Sequence, residues 1–138
     1  MNTTALTASN VRLTALARDM ERLDPGFQLN RELGLLLGWT QFENRPEWWT
    51  TPDGKGYALL PRWSDSFDAV ARLHAARADR WKINGISESA DGLMCVPLTR
   101  RHDVNEPTVV GQASDLPRAY CAAVLRAIAA DEVRDADR

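Results

Sequence analysis

Long apolar runs are missing from this sequence, and so is any excess of charge of one sign. No stretch approaches the roughly 18 apolar residues of a membrane-spanning helix. The start, Met1 to Asn10, has neither a basic opening nor an apolar segment, so the expectation is no secretory leader, no membrane span and a cytoplasmic location. Seventeen basic against nineteen acidic side chains leave a formal charge of −2, which gives no global field toward nucleic acid or an anionic membrane. Cysteine is scarce as well. Cys95 and Cys121 both sit in apolar segments, which reads as reduced core residues rather than a disulfide framework.

Chemistry-bearing patterns are equally sparse. Gly85, Gly92 and Gly111 stand alone, so there is no phosphate-cradling glycine loop, and neither a nucleophile elbow nor a helical His-Glu-x-x-His occurs. Cys95, Cys121, His74 and His102 lack the paired knuckle or helix-turn spacing of a zinc site. Asp53, Asp65, Asp68 and Glu47 could pair as acid and base, but nineteen acidic residues make such proximity unremarkable. The expectation is therefore no enzyme, no metal and no cofactor.

What is present is amphipathic patterning at the scale of one domain. With 138 residues and 44% apolar content, the chain can bury a core without staples, and residues 1–130 read as one domain followed by a charged tail over 131–138. Leu13, Leu16, Ala17 and Met20 form a helical stripe over Val11 to Leu23, with Ser9 as its cap. Asn30 can cap a second helix that ends at Gly38. Ser64-Asp65-Ser66 opens a third, running to about Ala78. Ser114 introduces a fourth, with Leu116, Tyr120, Ala123, Val124, Ala127 and Ile128 inward and Arg118, Ala122 and Arg126 outward.

Trp81 to Ile86 and Leu93 to Leu98 read as paired antiparallel strands turned at Asp91-Gly92, and Thr108 to Gln112 adds another. Pro97 and Pro107 place their strands at edges or bulges. Trp39 to Tyr57 reads as irregular β structure. The sum is an α+β fold, a three-layer α/β/α sandwich of a small antiparallel sheet with three to four helices.

Aromatic residues carry the one compositional hint of binding, since five of the ten are tryptophan. Neighbouring strand residues point to opposite faces, so one of Trp48 and Trp49 should be exposed. An exposed ring beside Arg45, Lys55 or Arg62 can stack on a base or a partner protein. Arg100 and Arg101, followed by His102, can grip a phosphate or an acidic surface, and Arg118 lies where a helix start can hold an anion. The candidate binding residues are Trp48, Trp49, Arg62, Trp63, Arg100 and Arg101.

Three segments taken together resemble a family. Leu29-Asn30-Arg31-Glu32-Leu33 through Leu37-Gly38-Trp39, then Leu60 to Val70, then Ala113 to Leu125, are similar to small phage and prophage proteins with an ABA-sandwich domain. The likeness spans about Leu13 to Ala130. It implies helices around an antiparallel sheet and a phage or prophage origin, with no catalytic residues to carry over. The segments Glu43 to Tyr57 and Thr99 to Pro107 depart from it, and added surface is where specific function resides. Two functions are expected. The first is a phage accessory protein that binds a host or phage protein, as an inhibitor of host defence. The alternative is a sponge for a signalling nucleotide, acting alone or as a homodimer; a structural protein or minor hydrolase stands third.

Overall fold

The computed structural model describes residues 8–45, 47–100 and 108–136. Helix α1, Ala8–Arg22, buries the stripe Leu13, Leu16, Ala17 and Met20. Ser9 lies inside this helix rather than capping it, and its hydroxyl donates to Glu132 Oε1 at 3.2 Å. Helix α2, Phe27–Leu36, starts three residues before its expected cap. Asn30 is buried within it and accepts from the Ser64 amide at 2.8 Å, while the Ser64 hydroxyl accepts from the Gly26 amide at 3.1 Å. The α2 entrance is thus tied by a residue far along the chain, which no local cap pattern reveals. Gly38 ends the segment with φ 97°, the left-handed conformation expected there.

The β structure divides into two antiparallel sheets. The first is a meander of β1, Thr40–Gln41, β2, Trp48–Thr50, and β3, Tyr57–Leu59, in that spatial order. Helix α3, Phe67–Arg77, follows; the Ser66 hydroxyl accepts from the Ala69 amide, and the helix stops next to Ala78. The second sheet contains β4, Trp81–Ile83, β5, Ser87–Glu88, β6, Met94–Arg100, and β7, Val109–Ala113. Its pairings set β4 and β5 end to end along one side of β6 and β7 along the other. Pro97 sits in the middle strand, at the break where Gly85, with φ 81°, interrupts β4 and β5, so its missing N–H faces no continuous partner. Pro107 lies outside the described residues.

Helix α4, Leu116–Ala136, is the structural centre. Asp115, not Ser114, caps it, since its Oδ1 accepts from the Arg118 amide at 3.0 Å. Every residue from Ala119 to Leu125 is buried, Ala122 included, where the periodicity suggests an outward face. The helix packs on β6 and β7 of the second sheet and on α1 and α3, while α1 also reaches β7, in a layered α+β arrangement. Alanine permits this position, because its small side chain lets neighbouring backbones approach on all sides. Closest is β7: a Cβ at Gly111 would stand 1.8 Å from the Ala119 carbonyl oxygen and 2.6 Å from the Ala123 nitrogen. The helix runs through Ala136, so residues 131–136 continue α4, where the sequence suggests a charged tail.

The outer edge of β7 is covered by side chains. In the register with β6, Val110 and Gln112 turn their backbone groups away from the sheet. Arg126 donates to the Val110 carbonyl at 2.7 Å, and Glu21 accepts from the Gln112 amide at 2.8 Å. The two side chains also form a bidentate ion pair at 2.6 and 2.7 Å. Together they supply the donor and acceptor that a further strand would offer.

Candidate functional site

Alternation along the meander decides which rings face solvent. Trp49 is paired with Ala58 and is fully buried, whereas Trp48 is paired with Leu59 on the other face and is 39% exposed. Tyr57, paired with Thr50, lies on that outer face and is 70% exposed; Leu59 is 61% exposed. Phe42 joins them edge-on to Tyr57 at 5.2 Å. Phe42, Trp48, Tyr57, Asn44 and Arg45 enclose a shallow hollow of about 440 Å³ with one cation and no carboxylate.

A second concavity adjoins it across β3. Ala58 and Leu59 of β3, together with Trp39, Pro52, Pro61 and Trp63, form one side of a groove of about 760 Å³. The other side is the α3 face carrying Asp68, Ala69, Arg72, Leu73, Ala76 and Arg77. Trp39 and Trp63 stack edge to face at 6.2 Å on the wall. Arg72 and Arg77 are exposed and make no ion pair among the described residues.

The expected binding residues are therefore scattered. Trp48 lies on the exposed face, and Trp63 is 4% exposed in the groove wall. Trp49 is sealed beneath the sheet, and its Nε1 has no hydrogen-bond partner among the described residues. Arg62 is exposed and pairs with Asp65 three residues on, across the turn that precedes α3. Arg100 is buried: β6 alternation puts Val96, Leu98 and Arg100 on the α4 side, where the guanidinium pairs with Asp131 and lies 6.0 Å from the Trp81 ring. Arg101 and His102 lie outside the described residues. Arg118 is likewise internal, bonding Asp115, Ser114 and the Leu23 carbonyl that ends α1, so it holds no anion.

Phe42, Tyr57, Leu59 and Arg72 were not legible as site residues. The signal available was the spacing of Trp48 to Thr50 and Tyr57 to Leu59 around the Pro52 to Gly56 turn, which pairs the two short runs into one face.

His74, Tyr120 and Cys121 are engaged at the packing of α3, β4 and α4. Trp81's carbonyl can only accept, so His74 Nε2 donates to it at 2.8 Å, and Nδ1 is hydrogen-bonded with the Tyr120 hydroxyl. Burial raises Tyr120, and it pushes the Cys121 thiol up to about 12, which keeps it un-ionised. Cys95 lies on the face of β6 away from α4 and cannot meet Cys121. No group of three His, Cys, Asp or Glu able to hold a metal occurs among the described residues, and no described helix is long and apolar enough to cross a membrane. No protein-family model, curated protein or solved structure matches the chain.

Proposed function

We propose that this chain is a non-enzymatic binding protein whose partner is a protein and whose contact surface is the outer face of the meander. The observation that carries this reading is the exposure of Phe42, Trp48, Tyr57 and Leu59 together on one small sheet. Buried tryptophan and tyrosine at the centre of an interface dominate binding energy. The further step, to a phage-encoded inhibitor of a host defence component, is supported by the sequence resemblance alone. The test is a photo-crosslinker at Tyr57 in cells, followed by affinity measurement with the protein captured. Trp48→Ala with Tyr57→Ala should weaken that complex about 100-fold; unchanged affinity contradicts the reading.

A signalling nucleotide in the groove is the second reading, favoured by Trp39, Trp63, Arg72 and Arg77 around one concavity of ligand size. Addition of cyclic di- and trinucleotides should then raise the melting temperature. No shift at millimolar concentration rejects it.

A further inference from the structure

The two sheets treat their edges differently. Thr51 N–H donates to the Gly56 carbonyl and Phe42 N–H to the Trp48 carbonyl, each at the end of a meander pairing. Alternation from these bonds puts Trp49 and Ala58 in a hydrogen-bonded pair, so the N–H and C=O groups of Tyr57 and Leu59 point away from β2. They bond to nothing among the described residues. Edges of this kind are normally blunted, and β7 is blunted here by Glu21 and Arg126. The edge of β3 is open and runs beside the groove that its own residues help to form.

Resting on the binding reading above, we propose that β3 is extended by an incoming strand: an extended peptide segment of alternating apolar and acidic residues, lying between β3 and α3. The four edge groups of Tyr57 and Leu59 bond its backbone. Side chains on one face of such a strand reach Trp39, Trp63 and Leu73, because alternate residues of an added strand share a face. The acidic residues are fixed by charge: Arg72 and Arg77 border the groove without an ion pair, against Asp68 on the same lining, and because Arg77 also borders the hollow lined by Asp79, Asp131, Glu132 and Asp135, Arg72 carries most of the selection for acid. A second copy of the chain fits less well. Pairing β3 with β3 would bring Arg72 and Arg77 of both copies to one interface, with one Asp68 from each to offset them. A nucleotide, the other occupant of matching charge, has no use for the open edge.

The probe is an array of capped octapeptides in which valine, leucine or tyrosine alternates with aspartate or glutamate, titrated against the full chain by fluorescence anisotropy. Binders should slow amide exchange at Tyr57 and Leu59, lose at least tenfold in affinity when their edge-facing amides are N-methylated, and lose at least tenfold with Arg72→Glu/Arg77→Glu. Both substituted arginines are exposed, and Arg72→Glu alone, which leaves Arg77 in place beside Asp79, Asp131, Glu132 and Asp135, separates lost binding from lost fold and should itself weaken binding. Lysine-for-acid peptides should not bind. Four results overturn the proposal: no binder in the array, binding insensitive to N-methylation, dimerisation through β3, or nucleotide competition with no protection of β3 amides. Loss with Trp48→Ala/Tyr57→Ala but not with the α3 variant overturns strand addition while leaving the aromatic face as the contact surface.

Discussion

At the scale of single residues, the tightest constraint is Gly111. A methyl group there meets backbone atoms of α4 rather than a side chain that can turn aside. Gly111→Ala should therefore destabilise by about 3 kcal/mol, read as a lower urea midpoint at unchanged slope. Gly34 is a softer case, since an added Cβ meets the end of the Leu60 side chain. Asp131 is the other sensitive position. It holds both Arg100 and the Trp81 indole N–H, so Asp131→Ala strands a buried guanidinium and should cost about 3 kcal/mol. Arg100 shows why the site was hard to read residue by residue. A cation after a strand looks solvated in sequence, and its burial depends on Asp131 from α4, two elements further along the chain.

At the scale of elements, Glu21 and Arg126 join α1, α4 and β7. Burial alone would raise the Glu21 carboxyl, but the Arg126 bond, the Gln112 amide and the nearby guanidinium charges outweigh it and leave the group below the usual carboxylate value. A lowered folded-state pKa means that the ionised group favours the folded chain. That contribution is present above the ordinary carboxylate value of 4.5 and is lost as pH falls through the lower folded value. Glu21→Gln should thus lower the urea midpoint at pH 7, and the gap from wild type should narrow as pH falls below the ordinary carboxylate value of 4.5. Truncation by Glu21→Ala removes the acceptor and uncovers the Gln112 amide, so increased self-association of that variant at high concentration is expected in light scattering.

The helices of α1 and α3 were legible because stripe and stop signals agree there: Leu13, Leu16, Ala17 and Met20 are inward, and Ser66 caps α3. The central place of α4 was not. Its alanines score weakly as core on periodicity, and close approach to Gly111 is a property of two elements rather than one. The meander was read as irregular because its strands are two or three residues long, too short for a period-two pattern to establish itself.

For the whole molecule, structure and recognition separate. The second sheet, α1, α3 and α4 share one interior, and the meander presents Trp48, Tyr57 and Leu59 outside it. Trp48→Ala/Tyr57→Ala should consequently shift stability by less than about 1 kcal/mol while weakening partner binding about 100-fold, a split that chemical denaturation and an affinity assay on the same sample would record. The division of labour among the edges gives the most direct test. Residue-resolved amide exchange of the unliganded chain should show the Gln112 N–H protected by Glu21 and the Tyr57 and Leu59 N–H groups exchanging near the unprotected rate. Protection of Tyr57 and Leu59 equal to that of Ala58, without any ligand, would mean that β3 is already covered, and the account of how this protein meets a partner would be wrong.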